Sequence, residues 1–167
     1  IDKFIGDIAN FAELICQQKG LKFKLQLLGD LDGFLKLDPT RVRQVLWNLI
    51  NNAVKFTARG QVSLTAEFIQ TATPQLKFQI TDTGIGISVA EQQRIFDMYY
   101  KSSDGRRLSI VGSGIGLSVS KALVDAMHGN ISVNSQINQG STFTVELPTE
   151  VLLKPEATPA VVCPSLT

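Results

Sequence analysis

Between residues 62 and 82 the chain repeats with a period of two. Val62, Leu64, Ala66 and Phe68 fall on one side of an extended segment, and Leu76, Phe78 and Ile80 do the same in the next, with Thr73-Pro74 as the turn between them. Such alternation buries one face of a strand and wets the other, so the pair needs a second layer over its apolar side. Helices can supply that layer. Phe4, Ile8, Phe11 and Ile15 form one stripe of a helix predicted over 2–19, with Gly20 as its stop. A second helix is predicted from Asp38-Pro39 to Thr57, with Val42, Leu46, Leu49, Ile50 and Ala53 buried. Its Asp can cap free backbone N–H groups, and its Pro fits the first turn, where a missing N–H costs nothing.

The remaining pattern predicts strands over 21–28 and 34–37, a short helix over 88–96 capped by Ser88, and a helix over 115–127. A hairpin of 131–137 and 142–147 follows. Residues 97–114 are polar, basic and glycine-containing, with little periodicity; a loop that long in a compact domain is functional or disordered. Strands and helices mix without strict βαβ alternation. This implies an α+β fold: a two-layer sandwich with helices on one face of a mixed, largely antiparallel sheet.

Composition narrows the function. At 167 residues, 44% of them hydrophobic and 19% charged, the chain has the balance of one globular domain. A net charge of +1 gives no electrostatic case for nucleic acid as a partner. No apolar run approaches the roughly 20 residues of a spanning helix. Cys16 and Cys163 lack metal-ligand spacing and read as free thiols of a reducing compartment. Opening on Ile1 rather than Met, the chain reads as a piece of a longer protein.

Three constellations carry chemistry. Asn48, Asn52 and Lys55 recur at i, i+4 and i+7, forming one polar stripe on the second helix. Amide oxygens suit a hard cation such as Mg²⁺, and the ammonium can pair with phosphate; a solvated helix face gives the same pattern. Asp82-Thr83-Gly84-Ile85-Gly86 ends the second alternating strand, so the phase that buries Leu76, Phe78 and Ile80 also turns Asp82 inward. A buried carboxylate needs donors. The exocyclic amino group of a base is one, and flanking glycines let backbone approach a flat ring; an Asp capping its own turn is the alternative. Third, Gly112-Ser113-Gly114-Ile115-Gly116-Leu117 opens a helix, where backbone N–H groups suit phosphate. Its spacing is not the dinucleotide fingerprint, and no G-x-x-x-x-G-K-[ST] occurs. A plain glycine hinge also fits. Lys101, Arg106 and Arg107 just before it add positive charge.

Order and spacing make the set specific. Asn48–Lys55, Asp82–Gly86, Ile95-Phe96, Gly112–Gly116 and Gly140-Ser141-Thr142-Phe143 resemble the N, G1, F, G2 and G3 boxes of sensor histidine kinases, and residues 38–147 resemble that family throughout. The resemblance implies the Bergerat ATP-binding sandwich of the GHKL superfamily, binding Mg²⁺ and ATP. It implies Asn52 as the metal ligand, Asn48 as its neighbour lining metal and phosphates, and Lys55 as the phosphate-contacting lysine. Phe56 falls where a ring packs near adenine, Asp82 where a carboxylate receives the adenine amino group, and Gly84 and Gly86 beside the base. Gly112, Gly114 and Gly116 match the hinge of an ATP lid and the phosphate-facing helix start. Ile87, Phe96, Tyr100, Ser113, Ile115, Leu117 and Thr142 complete the implied nucleotide site. At Lys101 many relatives carry Arg near the γ-phosphate; lysine keeps the charge but loses the bidentate fork.

One departure separates subfamilies. ATP-hydrolysing relatives such as gyrase place a Glu one turn before the metal-binding Asn, where this chain has Asn48, which cannot take a proton at neutral pH. Phosphoryl transfer to a positioned nucleophile therefore fits better than rapid hydrolysis. The family's acceptor motif, a His with neighbouring charges and a Thr-Pro, is absent, and the single histidine, His128, lies in a segment resembling a packing stretch. The implied organisation is a connecting helix over 1–20, the ATP-binding catalytic domain over 21–149 and a Pro-containing linker over 150–167. The implied partners are a phosphoacceptor histidine domain of the same kinase and a downstream response regulator or receiver domain. The parent is then a homodimer anchored in the inner membrane, with this domain in the cytoplasm. Ile95-Phe96-Asp97-Met98-Tyr99-Tyr100 and the lid length most resemble hybrid sensor kinases that control respiration in anoxia.

Overall fold

The computed structural model describes residues 2–29, 34–98 and 115–152. In chain order these form α1 (Asp2–Gln18), β1 (Lys22–Leu28), β2 (Phe34–Leu35), α2 (Pro39–Phe56), β3 (Gln61–Ile69), β4 (Gln75–Asp82), α3 (Val89–Gln92), α4 (Gly116–Ala126), β5 (Asn130–Gln136), β6 (Gly140–Pro148) and β7 (Val151–Leu152). The main sheet has five strands in the order β1-β3-β4-β6-β5. β1 runs parallel to β3, and every other neighbouring pair is antiparallel. The expected mixed, largely antiparallel sheet is present.

Register explains where the core sits. Leu64 lies opposite Ile80, and Ile80 opposite Phe143, so the buried positions of β3, β4 and β6 line up in rows across one face. Burial alternates strictly along β3 and β4. Val42, Val45, Leu46, Leu49, Ile50 and Ala53 of α2 press onto that face, and α4 adds Val124. Asp38 caps α2 as expected: its carboxylate accepts from the N–H groups of Thr40 and Arg41 at 3.0 and 3.1 Å. Gly20 ends α1 at φ 73°, the left-handed conformation that glycine adopts without strain.

Three boundaries differ from the sequence reading. The division at residue 20 is not a packing boundary, because Ile5, Ile8, Ala12 and Cys16 of α1 belong to the same core cluster as α2 and the sheet. Phe11 also stacks against Trp47 of α2 with ring centroids 5.0 Å apart. The division at 150 falls just before a strand: β7 pairs with β2, and Lys36 N–H donates to the Glu150 carbonyl at 3.0 Å. The helix expected over 88–96 keeps helical form only from Val89 to Gln92. Ser88 gives its hydroxyl to the Glu91 carboxylate at 2.8 Å and makes no side-chain cap.

Candidate nucleotide-binding site

Four elements converge at one end of the sheet: the polar stripe of α2, the loop after β4, the first turn of α4 and the turn between β5 and β6. Backbone contacts tie the end of α2, the loop after β4 and the β5–β6 turn together. Ile85 N–H donates to the Phe56 carbonyl at the end of α2 at 3.3 Å, and Asn138 N–H donates to the Ile85 carbonyl at 2.8 Å. The glycines are needed where backbone meets backbone. A Cβ on Gly84 would stand 2.5 Å from the Phe56 carbonyl oxygen and 2.8 Å from Asp82 Oδ1. One on Gly86, which sits at φ 72°, would strike the Gln136 carbonyl.

Asp82 is the last residue of β4 and is 5% exposed. The alternation does turn its carboxylate inward. Gly84 N–H donates to Oδ1 at 2.8 Å. Burial pushes its carboxyl above the usual carboxylate range, and the backbone N–H groups of Gly84 and Ser141 pull the other way. A carboxylate so placed suits one further donor, and an amino group on a flat heterocycle is a donor of that kind.

Thr142 does not join this cluster. It pairs with Thr81 across β4 and β6, their hydroxyls 3.0 Å apart, on the face away from Asp82. The residue opposite Asp82 is Ser141, which is buried. Side chains one position apart on a strand point to opposite faces, so Ser141 and not Thr142 shares the face of Asp82. Ser141 Oγ lies 2.9 Å from Ser135 Oγ, and Ser135 Oγ also receives Ile87 N–H at 2.8 Å. Gln92 Nε2 donates to the carbonyls of Ile87 and Ser135, both at 2.9 Å. Ser135, Ser141 and Gln92 thus hold the loop after β4 to the β5–β6 hairpin. The strand register reveals the two serines, and the fold of α3 against β5 reveals Gln92.

On α2, Asn48 donates its amide Nδ2 to Ser120 Oγ of α4 at 2.7 Å. Asn52 is half-buried one turn on, and the Lys55 ammonium stands 5.1 Å from the centroid of the Phe56 ring. Ile115 and Gly116 bring the start of α4 against Asn48, and a cavity of about 360 Å³ opens between Gln44, Asn48, Ile115, Gly116, Val119 and Ser120. Ile87, Leu117 and Phe96 are partly buried against the core, and Phe96 meets Phe143 edge-on at 6.4 Å. Tyr100, Lys101, Gly112, Ser113 and Gly114, with Arg106 and Arg107, lie outside the described residues. Among the described residues no group of three His, Cys, Asp or Glu side chains could hold a metal ion. A cation here would rest on amide oxygen, water and the ligand's own phosphates, a donor set that suits Mg²⁺.

Residues 37–151 match the family described as histidine kinase-, DNA gyrase B- and HSP90-like ATPase. The chain belongs to this family. It is 44% identical over 146 residues to the aerobic respiration control sensor protein ArcB of Escherichia coli (strain K12), covering 86% of this chain and 18% of that protein. It is 36% identical over 149 residues to the autoinducer 2 sensor kinase/phosphatase LuxQ of Vibrio vulnificus (strain YJ016), covering 87% and 17%. The chain therefore spans less than a fifth of these curated relatives. Among solved structures it resembles full-length ShkA in complex with AMPPNP at 29% identity and a TM-score of 0.78, over 91% of this chain and 30% of that one. The catalytic domain of histidine kinase ThkA has the same fold, at 24% identity and a TM-score of 0.72, over 88% and 92%. The fold and these likenesses make the chain a histidine kinase-type ATPase domain with sensor kinases among its relatives.

Proposed function

We propose that this domain binds Mg-ATP and transfers the γ-phosphoryl group to a histidine on a separate domain of the same kinase. The observation that carries the reading is Asp82: a buried, backbone-tied carboxylate at the end of β4, whose following loop meets the end of α2, the helix that carries Asn48, Asn52 and Lys55. Adenine would give its amino group to Asp82 between Gly84 and Gly86, with Phe56, Ile87, Phe96 and Leu117 as apolar surroundings. Asn52 would hold Mg²⁺ through its amide oxygen, and the metal would neutralise phosphate charge. Lys55, Lys101 and the α4 N-terminus would meet the phosphates, along with Gly112, Ser113 and Gly114.

Asn48 supports transfer over hydrolysis, since an amide cannot serve as general base. His128 supports an acceptor elsewhere. It is exposed at the far end of α4, and the rise of a helix sets it roughly 15–20 Å from the phosphate-facing start. The parent we take to be a hybrid kinase, a membrane-anchored homodimer with its receiver domain beyond the linker, because its relatives are sensor kinases several times longer. Among the described residues no helix is long and apolar enough to cross a membrane.

Radiolabelled ATP tests the reading. The chain alone should incorporate almost nothing. Adding the parent's histidine hairpin should yield an acid-labile, base-stable phosphoryl group on the hairpin. Stoichiometric labelling of the chain itself at His128 would overturn the division of labour.

A further inference from the structure

The contact between α2 and α4 is made through Asn48. Its Nδ2 is held by Ser120 Oγ at 2.7 Å, and Ser120 is 1% exposed. A Cβ on Gly116 would strike the Asn48 Oδ1, so the first turn of α4 approaches the amide this closely only because residue 116 has no side chain. Gly116 and Ser120 are one turn apart on α4 and clasp the two ends of one planar group. A free asparagine side chain rotates among several rotamers. This one is fixed by a buried hydroxyl on one side and a backbone approach on the other.

We propose that Ser120 is the positioning residue of Asn48: through it the amide registers the start of α4 against α2, and so sets the phosphate-facing helix turn relative to the polar stripe. This rests on the proposal that the cleft binds ATP. Asn48 then acts as a strut between the two walls that face the phosphates, while Asn52, one turn further along α2, is left for the cation. Loosening the strut changes how phosphates are held and leaves the base end of the site alone, because Asp82, Gly84 and Ser141 are tied through β4 and β6.

A double-mutant cycle on the whole chain tests this. ATP and adenosine affinities are measured by calorimetry for the wild type, Ser120→Ala, Asn48→Ala and the double variant. Ser120→Ala should weaken ATP binding roughly fivefold to tenfold, the worth of one hydrogen bond. It should leave adenosine binding unchanged, and it should add almost nothing once Asn48 is already alanine. Gly116→Ala supplies a second arm. The added Cβ would crowd the Asn48 amide, so with Asn48 present ATP affinity should fall while adenosine binding holds. With Asn48 already alanine the crowding is gone, and the helix-favouring alanine should leave ATP affinity unchanged and hold or raise the thermal midpoint. A merely structural serine would lower stability and both affinities together. Equal loss for ATP and adenosine, or additive losses in the cycle, overturns the assignment. A wild type that fails to bind ATP at all overturns the reading beneath it.

Discussion

Asp82 holds its charge at a cost. Burial raises its carboxyl above the ordinary value, so the fold holds the proton more tightly than the unfolded chain does. The sign follows from linkage: a raised carboxyl supports stability below its unfolded value, and that support is lost as pH rises through the folded value. Asp82→Asn keeps an acceptor for Gly84 N–H without the buried charge, so it should stabilise the free domain at neutral pH, with the gain vanishing in acid. Nucleotide affinity should move the other way. Losing a hydrogen bond to a charged group costs about 1.5–3 kcal/mol, a tenfold to hundredfold weakening of ATP binding. Wild-type affinity should also decline as pH falls into the raised carboxyl range, and the variant should show no such decline. Calorimetry and thermal melts across pH check both halves, and an Asn variant that binds ATP normally would remove Asp82 from base recognition. Asp82 was legible because period-two alternation carries through the whole strand to its last residue. Ser141 was not, since its place opposite Asp82 depends on the pairing of β4 with β6, which no local pattern states.

The helices show the same division between local signal and tertiary context. Asp38-Pro39 was readable as a start because capping is a matter of a few adjacent residues, and Asp38→Ala should cost about 1 kcal/mol, read as a lower thermal midpoint with unchanged ATP affinity. The short α3 was over-read: Ile95 and Phe96 are apolar at helical spacing but bury themselves from a turn. At the end of α4, His128 sits at φ 57°, and Gly129 N–H reaches back to the Val124 carbonyl at 2.9 Å. A side chain in that left-handed position is strained, where glycine is not. His128→Gly should therefore stabilise the domain by about 1 kcal/mol. The same substitution removes the chain's single histidine, so full phosphoryl transfer to an added hairpin would confirm that the acceptor lies elsewhere. Loss of transfer with the fold intact would contradict it.

At the scale of the whole molecule, the question is which segments the fold needs. Helical periodicity over 2–19 announced a buried face but could not say what it buries against, and a connector and a core helix share that pattern. The structure answers through Ile5 and Ile8, at 1% and 0% exposure, packed with Ala12 and Cys16 into the core. Lys19 adds a second tie, donating its ammonium to the carbonyls of Val54 and Lys55 at the end of α2, 2.5 and 2.9 Å away. Burying a large aliphatic side chain contributes about 1.5–3 kcal/mol, so two isoleucines and their smaller neighbours together approach the roughly 5–15 kcal/mol that holds a whole domain. Removing α1 would also bare the surfaces of α2 and β1 that it covers. Deleting residues 1–20 should therefore abolish the cooperative thermal transition and, with it, ATP binding. Circular dichroism melts of the chain with and without that segment decide the matter: a truncated domain that melts cooperatively and keeps its ATP affinity would make residues 1–20 a separable connector after all.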